Sequence, residues 1–223
     1  MRLRNKAWTE EYINDHKQYM VEVHEGEKIK PEKVFDNKNN KFALEIGCGK
    51  GDFVIGQALK HPDTNFIAME KESTVVGVAL KKTVNEYEEM KKDIINIKFL
   101  NHYAEKLTDM FEPNSFDIIF LNFSDPWPKA KHYKKRLTYR DFLDNYSQIL
   151  KQNGIIEMKT DNDGLFAFTV EELEERPNWE VLYKTTDLYK DEDQLKDNVA
   201  TEYEKKFHNL GKNINKIVLK NNK

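Results

Sequence analysis

Lys41-Phe-Ala-Leu-Glu-Ile-Gly-Cys-Gly-Lys-Gly-Asp52 is the stretch on which the fold turns. Residues 42–46 form an apolar run broken only by Glu45 and ended by three alternating glycines, Gly47, Gly49 and Gly51. Such a run reads as a buried strand, and the glycines as a turn needing positive φ or close backbone approach to a ligand. Residues 52–59 then carry a helical pattern, halted near His61-Pro62. Strand, glycine turn and helix open a βαβ unit, so the chain is expected to build a parallel sheet with helices on both faces.

The alternation continues outward from this unit. Residues 65–69 predict a second strand ending at Glu70, and Ser73 is read as the cap of a helix reaching about Lys91. Residues 97–100 and 116–121 predict two more strands. Thr138 is read as the start of a helix bearing Phe142, Leu143, Tyr146, Ile149 and Leu150, with Gly154 as its stop and residues 155–158 as a fifth strand. Residues 179–183 and 214–219 look like a closing antiparallel pair. The expected fold is therefore α/β, a doubly wound, mostly parallel, Rossmann-like sheet of seven strands with an antiparallel C-terminal edge, spanning 41–223. Residues 1–40 read as a basic, helical N-terminal extension, in which Thr9 caps a helix with Tyr12, Ile13, His16 and Tyr19 on one side.

At 223 residues the chain suffices for one substantial domain, and its 12% aromatic content supports a core despite 34% charged residues. No segment approaches the ~18 apolar residues of a membrane span. The opening Met-Arg-Leu-Arg-Asn-Lys lacks a signal peptide's apolar run, and the single cysteine excludes an internal disulfide. A soluble cytoplasmic protein, monomer or homodimer, is expected. The net charge of -3 argues against a nucleic-acid partner, but its distribution does not. Lys129, Lys131, Lys134, Lys135, Arg136 and Arg140 follow one another without an intervening acid, and Arg2, Arg4 and Lys6 add to them.

In such sheets ligands bind at the carboxyl ends of the strands. A dinucleotide turn would want glycine or alanine at position 52, where this chain has Asp52, and Glu45 precedes the glycines. Both acids favour a cationic, phosphate-free cofactor such as S-adenosylmethionine. Glu70 stands where an acid meets ribose hydroxyls, and Asn101-His102-Tyr103 where an adenine would lie. Cys48 reads as a small residue tolerated in the turn. The six histidines lack metal-ligand spacing, so no metal is expected. After the fourth strand, Ser124-Asp-Pro-Trp-Pro-Lys129 is a proline-stiffened loop holding a carboxylate, with Trp127 read as core filler rather than a stacking residue. Lys159-Thr-Asp-Asn162 follows the fifth strand, with Asp161 either at the site or capping a helix from Gly164. Thr201-Glu-Tyr-Glu204, taken alone, is a helix start.

These motifs, in this order, resemble the bacterial tRNA (guanine-N7)-methyltransferases of the TrmB type over nearly the whole chain. The Asp-Pro-Trp-Pro-Lys block with its basic run is the specific part. The resemblance implies methyl transfer from S-adenosylmethionine to N7 of a guanine in the tRNA variable loop. It implies that Glu45, the glycines 47, 49 and 51, Glu70, Tyr103 and Asp125 line the cofactor, with Asp125 catalytic. It further implies that Lys129, Asp161, Thr201, Glu202, Tyr203 and Glu204 touch the guanosine, and that Lys131, His132, Lys134, Lys135 and Arg136 meet RNA. Two positions depart from the pattern. Tyr103 stands where an acid is usual, which moves the adenine contact toward Asn101, and Lys131 and Lys135 replace arginines, losing bidentate geometry.

Two rivals remain at the level of sequence. Amino-methyltransferases carry an Asn/Asp-Pro-Pro-aromatic loop, but Trp127 stands where the second proline would be. A non-catalytic RNA-binding module on the same fold would have no need of acids at Glu45, Glu70 and Asp125.

Overall fold

The run that opens the sheet folds as expected: β1 (Lys41–Ile46) is buried along all but its first residue. The computed structural model describes residues 6–223, so Arg2 and Arg4 lie outside the described residues. The chain divides into two compact units, one ending at Glu112 and the other beginning at Pro113.

In the first unit β1 pairs in parallel with β2 (Thr64–Glu70), and β2 with β3 (Ile97–Asn101). α2 (Asp52–Lys60) buries Phe53, Val54, Ile55 and Ala58, and α3 (Ser73–Glu89) buries Val76, Ala79, Leu80 and Val84. Ser73 is the first helical residue rather than a cap; Glu72 precedes it without a side-chain bond. The N-terminal helix α1 (Trp8–Asp15) packs on α3. Thr9 does not cap it: the residue lies inside the first turn, fully buried, and its hydroxyl donates to the Lys6 carbonyl at 2.7 Å. Gly77 makes this docking possible, because a Cβ there would stand 2.5 Å from the Thr9 Cβ. Beyond α1 the chain covers the open edge of β3, where the Val21 amide donates to the Phe99 carbonyl at 2.8 Å. The short α4 (Leu107–Met110) closes the unit.

In the second unit β4 (Phe116–Asn122) pairs in parallel with β5 (Leu150–Thr160). α5 (Arg140–Ile149) buries Phe142, Leu143, Tyr146 and Ile149, as its periodicity demands. Gly154 is not its stop. The helix ends at Ile149, and Gly154 lies within β5 where the strand bulges: Phe116 faces Leu150, but Ile118 faces Ile155. Asn153 adopts φ +62° there, and a Cβ on Gly154 would meet the Lys151 carbonyl at 2.9 Å. A glycine inside a strand pattern signals a bulge as well as a helix end. α6 (Asp163–Glu174) follows β5. The last strand, β7 (Asn215–Asn221), lies between β5 and β6 (Trp179–Thr185), antiparallel to both. Between them the chain forms α7 (Glu192–Lys196) and α8 (Glu202–Asn209). The strand order is β3-β2-β1-β4-β5-β7-β6 in a seven-stranded sheet, mostly parallel with an antiparallel edge. No helix of the described residues is long and apolar enough to cross a membrane.

Candidate active site

In the first unit the glycine turn folds back onto the end of β2. The Gly47 and Cys48 amides both donate to the Met69 carbonyl, at 2.8 and 3.0 Å. This geometry puts Gly47, Gly49 and Gly51 at φ +79°, +54° and +87°, where side chains are strained. A Cβ on Gly47 or Gly49 would meet nothing within 4 Å, so space lies open above the turn. Glu45 beneath it is 2% exposed. The Glu70 carboxylate is braced by backbone: Oε2 accepts from the Gly49 amide at 3.3 Å, and Oε1 from the Lys71 and Glu72 amides at 2.9 and 3.2 Å. Two fixed carboxylates beside an open glycine turn suit a ligand bearing cationic groups and hydroxyls, and repel a phosphate.

Three neighbouring residues frame the turn. The Asp52 carboxylate is tied to Lys82 Nζ at 2.5 Å, so the case against a pyrophosphate rests more on Glu45 than on Asp52. Asn101 spends its amide nitrogen on the carbonyls of Glu70 and Lys71, at 2.9 and 3.0 Å, which makes it a brace between strand ends. Tyr103 is 55% exposed at the end of the same strand, with its backbone amide bonded to His102 Nδ1 at 2.9 Å. Burial, then the charges of Glu45 and Glu70, push the Cys48 thiol well above its usual range, so it is no nucleophile at neutral pH.

In the second unit the loop after β4 is held at both ends. The Phe123 amide donates to the Lys159 carbonyl at 2.9 Å, and Phe123 and Trp127 take left-handed φ of +51° and +42° on either side of Asp125. Asp125 itself is exposed. After β5, Asn162 caps α6 by accepting from the Leu165 amide at 2.8 Å, so Asp161 is not the cap. Asp161 instead bonds the Tyr203 phenol. Burial first, then the Asp161 and Asp125 carboxylates, raise that phenol above its usual range. Asp125, Asp161 and Tyr203 thus share one electrostatic neighbourhood. The Tyr203 ring lies 5.0 Å from that of Phe123 and stacks on Phe207 at 4.2 Å, yet remains 43% exposed.

The Thr201-Glu-Tyr-Glu204 segment is a helix start after all. Thr201 caps α8, its hydroxyl accepting from the Glu204 amide at 2.9 Å, while Glu202 is exposed. Glu204 points away from solvent and is fully buried. Its carboxylate accepts from Lys159 Nζ at 2.6 Å, Asn198 Nδ2 at 2.7 Å and the Tyr189 hydroxyl at 3.3 Å. Lys159, equally buried, also donates to Asn198 Oδ1 at 2.9 Å and the Val199 carbonyl at 3.0 Å. Glu204 and Lys159 thus form an internal ion pair joining α8 to β5. Sequence reading passed over Lys159, although a lysine ending a buried strand requires an acid, and the Thr201-x-x-Glu204 spacing offers one.

The basic run divides in two. Lys129, just before the 3₁₀ turn Ala130–Lys135, and Lys131 and Lys134 within it are exposed. Lys135 Nζ lies 4.7 Å from the Trp127 ring centroid and His132 meets the same ring edge-on, so Trp127 is a half-buried platform and not core filler. Arg136 and Arg140 are held by partners within the chain, Arg136 half-buried and Arg140 exposed. Arg136 donates to the Pro126 and Trp127 carbonyls, at 3.0 and 3.2 Å. Arg140 is bidentate to Glu172, at 3.1 and 3.0 Å.

Strand order, glycine turn and acids at the strand ends define an α/β methyltransferase. Solved structures share the fold: a 16S rRNA methyltransferase, KamB, superposes with a TM-score of 0.61 over 90% of this chain and 96% of its own, at 11% identity. TrmN from Thermus thermophilus gives 0.55 over 85% of this chain and 46% of its own, at 18% identity. A family model described as "Putative methyltransferase" matches residues 39–217. A tRNA (guanine-N(7)-)-methyltransferase of Mesoplasma florum is 58% identical over 99% of both chains. One of Lactobacillus acidophilus is 40% identical over 96% of this chain and 95% of its own. The chain belongs to the tRNA (guanine-N7)-methyltransferase family.

Proposed function

We propose that this protein transfers the methyl group of S-adenosylmethionine to N7 of a guanine in the variable loop of tRNA, in the cytoplasm. The observation that carries this reading is the Asp161 carboxylate bonded to the Tyr203 phenol, with the Asp125 charge near enough to act on it, in a chain whose full-length relatives are named tRNA (guanine-N(7)-)-methyltransferases. The bound cofactor supplies an electrophilic methyl on a sulfonium. Glu45 and the carbonyl-rich glycine turn would hold its cationic amino acid part, and Glu70 its ribose hydroxyls.

Guanine N7 carries a lone pair and no proton at neutral pH, so attack needs no general base. The protein's work is then positioning and charge stabilisation. Methylation makes the ring cationic and its N1–H more acidic. A carboxylate accepting from N1–H and the exocyclic amine therefore binds the transition state better than the ground state. Asp125 is the catalytic residue on this reading, and Asp161 supports it through Tyr203. Glu204 has no part in base recognition on this reading, because its carboxylate is taken by Lys159, Asn198 and Tyr189. The target base must leave the stack to enter such a pocket, and the Tyr203–Phe207 pair offers it an aromatic edge. Lys129, Lys131, Lys134, Lys135 and His132 supply the surface for the backbone.

The test is incubation of the protein with methyl-tritiated cofactor and unmodified tRNA, followed by nucleoside digestion. Label in 7-methylguanosine is expected. Label in an N-methylated base would support the amino-methyltransferase rival, and absence of label with intact cofactor binding would support the non-catalytic one.

A further inference from the structure

Two residues without glycine's freedom, Phe123 and Trp127, hold left-handed backbone on either side of Asp125. Such conformations persist only where their surroundings impose them. Phe123 is pinned by its amide to β5, whereas Trp127 has a different anchor. The Arg136 guanidinium reaches back across the loop, its Nε donating to the Pro126 carbonyl at 3.0 Å and a terminal nitrogen to the Trp127 carbonyl at 3.2 Å. Its planar face lies 4.4 Å from the centroid of Phe168, on α6. The same α6 begins immediately after Asp161 and its capping residue Asn162. Arg136 thus ties the loop that carries Asp125 to the helix that follows Asp161, within one unit of the chain.

We propose that Arg136 is a positioning residue for Asp125 and not a phosphate contact, although it closes a run of residues otherwise suited to RNA. This inference rests on the reading of Asp125 as the catalytic carboxylate. Two adjacent carbonyls and an aromatic face require a planar fork with donors in fixed directions. Lysine offers a point charge on a flexible stem and cannot satisfy all three. Losing the clamp lets Trp127 relax and moves Asp125 relative to Asp161, and displacement of about 1 Å at a reacting centre costs on the order of 10²-fold in rate.

The experiment compares wild type, Arg136→Lys, Arg136→Ala and Lys134→Ala in steady-state guanine methylation, together with direct tRNA binding over a range of salt concentrations. Circular dichroism melts check folding. Arg136→Lys and Arg136→Ala are expected to lower kcat on the order of 10²-fold, with KM and Kd for tRNA and the salt slope unchanged. Lys134→Ala should raise KM and Kd and flatten the salt slope. The proposal is overturned if Arg136→Lys retains wild-type kcat, or if the Arg136 variants weaken tRNA binding and flatten the salt slope as Lys134→Ala does. Should Arg136→Ala melt before assay, Arg136→Lys carries the test. If wild type itself makes no 7-methylguanosine, the underlying reading of Asp125 fails first, which separates the two.

Discussion

Glu204→Ala tests whether the buried ion pair is what the motif exists for. Lys159 and Glu204 have no side-chain exposure and sit 2.6 Å apart. Removing the carboxylate takes the counter-charge from a buried ammonium, leaves Asn198 Nδ2 and the Tyr189 hydroxyl without their acceptor, and opens a cavity at the foot of α8. Breaking one side of a buried pair costs roughly 3–5 kcal/mol. For a chain of this size each kcal/mol lowers the thermal midpoint by about 2–4 °C, so the expected drop is roughly 6–20 °C. Glu204→Gln, which keeps the shape and one acceptor, should fall between. Lys159→Met combined with Glu204→Leu should recover much of the loss, since an apolar pair of similar volume can replace a buried ion pair at little net cost. The assay is a melt followed by circular dichroism on the full chain at neutral pH, with methyl transfer measured well below every midpoint. The reasoning is refuted if Glu204→Ala melts within about 2 °C of wild type, under 1 kcal/mol on that scale, yet loses methyl transfer. That result would mean the carboxylate faces the guanosine.

Three further outcomes are expected. Asp125→Asn keeps the shape of the side chain and removes its charge, so kcat should fall on the order of 10²–10³-fold, with cofactor and tRNA dissociation constants nearly unchanged; retained turnover would remove Asp125 from the reaction centre. Lys131→Ala with Lys134→Ala should weaken tRNA binding and flatten its log–log salt slope by roughly 1.4–1.8, two charges at 0.7–0.9 each, whereas Arg140→Ala should leave the slope alone because its guanidinium is held by Glu172. The Cys48 thiol, raised by burial and by Glu45 and Glu70, stays protonated at neutral pH. Iodoacetamide should therefore label it slowly in the native protein and fast in denaturant, and equal rates would contradict its burial.

Much of the fold was legible in the sequence because its signal is local. Apolar runs at strand length, helical spacing in α2, α3 and α5, and the glycine turn each declare themselves within about a dozen residues. The closing antiparallel pair could be read as such, but not the placement of β7 between β5 and β6, which depends on partners far along the chain. Gly154 shows the limit: helix stop and strand bulge look alike until the β4–β5 register is known.

By itself, then, the sequence determined which residue types stand at the strand ends: carboxylates at Glu45, Glu70, Asp125 and Asp161, and glycines where the backbone must turn. Only the tertiary structure decided what each charged side chain faces. Lys82 neutralises Asp52 from 30 positions away, Glu172 takes Arg140 from 32, and Lys159 takes Glu204 from 45. Arg136 closes on carbonyls ten and nine residues back. A run of basic residues or a Thr-x-x-Glu motif looks uniform in sequence because charge is a property of one residue. Partnership and burial belong to pairs that the chain brings together only by folding, and partnership divides Lys131 and Lys134, open to solvent, from Arg136 and Arg140, whose guanidinium groups are already engaged.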